Sequence, residues 1–265
     1  MSFQPVIPIS GLAGWALLNR TKARQEASFN ATPRLARDEA HLRATLPKLR
    51  SVQDLVEDRR LLRVALGAFG LQDDLDNRAF IRKIVEDGTT ERGALANRLA
   101  DKRYLAFARA FEYLTRPSAT PPERQVDQIL SQYRTREFEI AIGTQDQTLR
   151  LAMSLQRELP QLAENYSSDS ARWFALLGNP PLREIVQTTL GLPVEFGKLD
   201  IDTQVTRMRR AAEKRFGTSD IQQLSQPDAL SALTRRFLVM AELRETQISL
   251  SGAATALVLL QDARR

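Results

Sequence analysis

One pattern in this sequence occurs twice, 121 residues apart. Leu61, Val64, Ala65 and Phe69 lead into Gly70-Leu71, and Leu182, Ile185, Val186 and Leu190 lead into Gly191-Leu192. In each case apolar residues at spacings of three and four make one helical face, and the glycine marks a helix end. Each corner is followed by Leu-Asp (Leu75-Asp76; Leu199-Asp200) and a further amphipathic stretch. A repeated helix–corner–helix unit constrains the fold strongly and the chemistry weakly, because the residues that repeat are apolar faces and turn residues. It predicts two related multi-helix halves arising from an internal duplication.

The rest of the chain carries the same periodicity. No stretch sustains the period-two alternation and β-branched enrichment of a strand, so the expected class is all-α. Residues 1–33 read as an N-terminal arm, with a short helix near Leu12 to Gln25. Residues 34–116 form the first helical repeat, in which Ser51 is a plausible N-cap and Asp54 stands where a capping box uses Glu or Gln. Pro117, Pro121 and Pro122 mark a linker at 117–122. A long central helix is expected over 123–166, regular to about Glu158 ahead of Pro160 and kinked at Gly143. The second repeat occupies 167–245, where Ser168 or Asp169 caps a segment holding Trp173 and Pro227 opens a helix through Glu242. Residues 246–265 are a C-terminal apolar segment.

Composition narrows the chemistry. A hydrophobic fraction of 43% and a charged fraction of 26% are ordinary for a folded chain of 265 residues. The formal charge of +6 and sequence pI of about 10.0 give a modest attraction to anionic partners. With no cysteine, disulfides, thiolate metal sites and a cysteine nucleophile are ruled out. The N-terminus lacks a basic region and a small-residue cleavage site, so no Sec signal peptide is expected. The apolar runs Leu12–Leu18 and Ala253–Leu260 are far shorter than the ~20 residues needed to span a bilayer.

His41 is the only histidine, and no triad, zinc site or histidine base can be assembled around it. Asp73, Asp74 and Asp76 superficially suggest a calcium loop, but the stretch Asp73–Ile84 lacks the central Gly and terminal Glu of an EF-hand. Gly191 and Gly197 lack the Lys of a phosphate loop and follow a helix, which reads as a C-cap and turn. No catalytic residue, cofactor or metal site is therefore expected. Arg207, Arg210 and Lys214 do share one helical face and could grip phosphates, whereas Tyr133 and Trp173 are not interleaved with them. The second place to look is the two ends. Trp15, Leu17 and Leu18 at one, and Leu257, Leu259 and Leu260 at the other, either dock on the core or wait for a partner.

Several of these stretches carry a family resemblance. They are Gly14-Trp15, the run Leu61 to Leu71, Asn97 to Tyr104, Phe107 to Phe111, Trp173-Phe174, Gly178 and Pro181-Leu182-Arg183. Leu190 to Pro193, Leu199 to Asp202 and Arg235 to Leu238 complete the set. Over nearly its whole length the chain resembles a family of alphaproteobacterial proteins known as domain of unknown function 1217. Members are often encoded among flagellar genes, so the resemblance implies a part in building or running the flagellum. It carries over no activity and no catalytic residue. Flagellar axial proteins resemble this chain in lacking cysteine and a cleaved signal and in having amphipathic ends that order on assembly. Their long helical termini rich in Asn, Gln and Ser differ from the proline-containing arm and short C-terminal run here. The expectation is a non-enzymatic structural or assembly accessory, cytoplasmic or flagellum-associated, whose partner is a flagellar or export-apparatus protein. The alternative is an Arg-rich helical protein that binds nucleic acid or regulates.

Overall fold

The computed structural model describes residues 3–115, 121–122 and 124–262, with the side chains of 247–262 outside the description. Fourteen α-helices and no strand occur among these residues. The chain divides into two compact units, residues 1–7 with 18–145 and residues 8–17 with 146–265. The division therefore falls at 145/146 and within the first helix, α1 (Gly11–Asn30), and not at the proline-rich stretch 117–122. Residues 117–120 of that stretch lie outside the described residues.

In the first unit α2 (Pro33–Thr45), α3 (Val52–Glu57), α4 (Arg59–Phe69), α5 (Arg78–Glu86), α6 (Leu95–Arg98) and α7 (Arg103–Phe111) precede α8 (Gln125–Gly143). Helix α4 is its centre and packs most extensively on α8. Leu61, Leu62, Val64, Ala65 and Leu66 of α4 are fully buried. Gly67 lets the two helices approach, since a Cβ there would lie 3.0 Å from the Tyr133 ring. Phe69 sets its ring edge-on to Phe107 and Phe111 of α7. The capping box at α3 forms as expected: Asp54 N–H donates to Ser51 Oγ at 3.2 Å, and Ser51 N–H donates back to Asp54 Oδ2 at 3.0 Å.

The second unit contains α9 (Gln147–Asn165), α10 (Asp169–Leu177), α11 (Pro180–Thr189), α12 (Ile201–Phe216), α13 (Ile221–Leu224) and α14 (Pro227–Asp262). Helix α9 packs on α11 and α14, and Leu155, Leu159, Trp173, Leu176, Leu182, Ile185 and Leu238 fill the interior. The Trp173 indole N–H donates to the Ser219 carbonyl at 2.9 Å, so its one polar atom is satisfied. The gap beside Trp173 and Leu159 holds about 10 Å³, the lower limit for a water.

The expected long central helix is two helices. Thr144 ends α8, and Asp146 starts α9 by accepting the Leu149 N–H at 2.8 Å. A capped break competes successfully here with continuation through Gly143. In the other direction, α9 does not stop before Pro160 but runs on to Asn165. A mid-helix proline costs about 3 kcal/mol, and burial of Leu159, Leu162 and Ala163 around it offsets that. The chain after α5 is likewise broken, into α6, α7 and a 3-10 turn at Glu112–Thr115. Helix α14, expected to end near Glu242, continues to Asp262.

The two Gly-Leu corners have the same local geometry. Gly70 and Gly191 adopt φ of 73° and 68°. Leu71 N–H bonds to the Leu66 carbonyl at 2.9 Å and Leu192 N–H to the Gln187 carbonyl at 3.0 Å. Those five-residue reaches, paired with Gly70 N–H to Gly67 and Gly191 N–H to Thr188, are the helix-ending pattern that a left-handed residue permits. Each corner then runs through a 3-10 turn, Gln72–Asp74 or Val194–Lys198, into the next helix. At both, arginines from other helices take up carbonyls at the helix end. Arg136 Nε–H donates to Ala68 at 2.9 Å and Arg103 to Gly70. At the second corner Arg236 Nε–H donates to Thr189 at 2.9 Å.

Candidate functional site

The cationic face read from the sequence exists on α12. Asp200 caps this helix by accepting the Thr203 N–H at 2.8 Å, and hydrogen bonds from the Thr203 side chain and then its backbone hold the carboxyl below the usual carboxylate range. Val205, Met208 and Ala212 bury one side. The register this imposes leaves Arg207, Arg210 and Lys214 exposed. None of the three makes an ion pair among the described residues, whereas their neighbour Arg209 is bound to Asp169 at 2.8 Å. The positive surface extends beyond α12. Burial, and then the nearby charge of Arg215, pull the Arg236 guanidinium below its ordinary pKa.

The two ends divide differently. Leu18 is 1% exposed and belongs to the core, so it cannot wait for a partner. Trp15 and Leu17 are half-buried. Leu257, Leu259 and Leu260 fall on the helical backbone of α14, but their side chains lie outside the described residues. Ahead of them Val239 and Leu243, one turn apart on α14, are 37% and 52% exposed. Ile9, Leu12, Phe174, Val194 and Ile201 are exposed as well. Seven of the eight large apolar side chains exposed among the described residues thus belong to the second unit.

The first unit holds a polar cluster that sequence reading missed. Asp38, buried on α2, accepts from Arg63 at 2.6 Å and from the Tyr133 hydroxyl at 2.9 Å. Arg34 reaches Glu137 at 2.5 Å and the Tyr133 oxygen at 3.3 Å. Burial, then the charges of Glu137 and Asp38, push the Tyr133 hydroxyl well above the usual tyrosine range, so it stays a donor. Only the i,i+4 spacing of Arg34 and Asp38 was visible in the sequence. Beside this cluster is an open polar recess of about 280 Å³. Its two cations are already engaged: Arg43 with Asp127 at 2.8 Å and with Glu39, and Arg134 with Glu39. Burial works against the Glu39 charge, but hydrogen bonds from Arg134 and Arg43 outweigh it and keep its carboxyl below the usual range.

The remaining candidates for chemistry are engaged locally. His41 Nε2 lies 2.6 Å from Asp58 Oδ2, and the other oxygen of Asp58 caps α4 by accepting the Arg60 and Leu61 N–H groups. Asp76 pairs with Arg59, Asp74 accepts from Tyr104 and Asn77, and Asp101 binds Arg103. Among the described residues no group of three His, Asp or Glu side chains is arranged to hold a metal. No helix among them is long and apolar enough to cross a membrane.

These features frame the comparisons with known proteins. The family described as "Protein of unknown function (DUF1217)" matches residues 68–230, more than half of the chain and both Gly-Leu corners. The chain belongs to that family. No curated protein matches it. Among solved structures it is similar to the crystal structure of an Agrobacterium tumefaciens protein determined as a structural-genomics target. The TM-score is 0.74 at 24% identity, covering 91% of this chain and 99% of the other. At that identity the likeness is one of fold.

Proposed function

We propose that this protein is a non-enzymatic, flagellum-associated structural or assembly accessory that acts through protein–protein contacts. The observation that carries the reading is the concentration of exposed large apolar side chains on one unit, led by Val239 and Leu243 on α14. Large apolar side chains left in water are the groups that gain most from being covered by a partner. Trp15 and Leu17 add half-buried apolar groups from the N-terminal arm, and Leu257, Leu259 and Leu260 continue the C-terminal one. The flagellar direction comes from the resemblance to the family, and a flagellar or export-apparatus protein is the partner it implies. The matched corners support reading the chain as a duplicated scaffold that presents these surfaces. Deleting the gene should impair swimming or hook and filament assembly. Normal motility with intact flagella overturns the reading.

A second reading rests on Arg207, Arg210 and Lys214, exposed and without ion-pair partners among the described residues. They give a face able to hold the phosphates of a nucleic acid. Replacing all three by Glu should abolish retention of DNA or RNA at low salt, and no retention by the unaltered protein ends this alternative.

A further inference from the structure

Helix α14 continues past its buried part as a heptad seam. Leu230, Leu233, Phe237, Leu238 and Ala241 bury its first half in the second unit. On another face, the exposed pair Val239 and Leu243 opens a strict alternation of four- and three-residue steps: Val239, Leu243, Thr246, Leu250, Ala253, Leu257, Leu260. In heptad notation Leu243, Leu250 and Leu257 occupy a, and Val239, Thr246, Ala253 and Leu260 occupy d. A repeat averaging 3.5 residues is the period at which one helix keeps a single stripe against another helix. It is not the period of a helix resting on a globular surface.

We infer that this seam binds the same seam of a second copy of the chain. Three features select that occupant. The first is charge: from Thr246 to Gln261 the helix has none. The flanking g and e positions, Glu242, Ser249 and Ala256 with Met240, Gln247, Ala254 and Gln261, therefore place no like charges opposite each other when identical helices meet. The second is geometry. A 3.5-residue seam is complementary to another such seam, and α14 of a second molecule supplies one of equal length, about 32 Å from Val239 to Leu260. The third is propensity. Gly252 and the β-branched or hydroxyl residues Ile248, Ser249, Ser251 and Thr255 weaken the middle of this segment, so a helical backbone through Asp262 would gain from a packing partner. The uncharged run Thr246–Gln261 is also shorter than the ~20 residues of a bilayer span.

This inference rests on the reading of the chain as an interaction protein and names one of its partners. Sedimentation equilibrium of the full-length protein, from low to high micromolar, tests it. The unaltered protein should self-associate. Leu250→Glu should weaken association at least about 100-fold, since two buried leucines are lost and two charges gained per pair, while far-UV circular dichroism of the folded body is retained. Thr246→Leu, on the seam, should tighten association roughly tenfold or more. Thr255→Leu, at an f position, should leave it unchanged. A protein that stays monomeric overturns the inference, as does one monomeric but carried by lipid vesicles in flotation, or equal tightening by both threonine variants. A monomer that still supports swimming when restored to a non-motile deletion strain removes the self-association and leaves the accessory role standing.

Discussion

The two units solve the same helical problem with different surfaces. In the first, polar side chains tie distant helices together: Asp38 to Tyr133 and Arg63, Arg34 to Glu137, Arg43 to Asp127, Arg136 to the end of α4. Val6 is its one exposed large apolar side chain among the described residues. In the second, the interior is mostly aliphatic around Trp173, while seven large apolar side chains are left exposed among the described residues. The contrast teaches that holding a fold and meeting a partner draw on different residues. The unit with the richer polar network is the poorer place to look for a docking surface.

The comparison breaks most clearly at the centre of each unit. Trp173→Ala should destabilise by about 3–5 kcal/mol in chemical denaturation, because a large fully buried ring leaves a cavity and an orphaned Ser219 carbonyl. Asp38→Ala should cost about 3 kcal/mol, at the low end for breaking a buried ion pair, since its arginines are half-exposed and can turn to water. If Asp38→Ala proves the more damaging, polar ties and not apolar packing dominate the first unit.

The matched corners give a finer test. Gly191→Ala should cost about 1–2 kcal/mol from the left-handed backbone alone, because its Cβ would meet only the Met240 methyl at 3.5 Å. Gly70→Ala should cost more, since the added Cβ would come within 2.8 Å of the Arg136 guanidinium. Equal losses in thermal denaturation would mean that Arg136 yields freely.

The smallest effect is at the capping box. The Arg50 backbone N–H, followed by Ser51, holds the Asp54 carboxyl below the usual carboxylate range. A depressed carboxylate contributes stability above its unfolded pKa of about 3.9 and loses it as pH falls through the lower folded value. Asp54→Asn should therefore be less stable than the unaltered protein at neutral pH, by about 1 kcal/mol, and the two should converge in strong acid. A difference that persists there would assign the effect to helix geometry and not to charge.

Periodicity and capping were legible because they are local. The Gly-Leu corners, the Ser51–Asp54 box, the all-helical class and the exposed Arg207–Arg210–Lys214 face follow from residues within one or two turns of each other. Helix limits were less legible, since a capping Asp146 cut a helix that periodicity would continue and buried neighbours carried another through Pro160. The burial of Leu18 was out of reach for the same reason: an apolar end looks identical in sequence whether or not a core receives it.

What the sequence alone determined is the set of helical faces, the turns that end them and the chemistries the chain cannot perform with cysteine, because each depends on side-chain type and near neighbours. Only the tertiary structure decided which helices meet, which carboxylates are consumed, and which apolar side chains stay outside. Those outcomes rest on contacts such as Asp38 with Tyr133 and Arg236 with Thr189, between residues far apart in the chain. Burial is a property of what arrives opposite a face, and no face carries that information by itself.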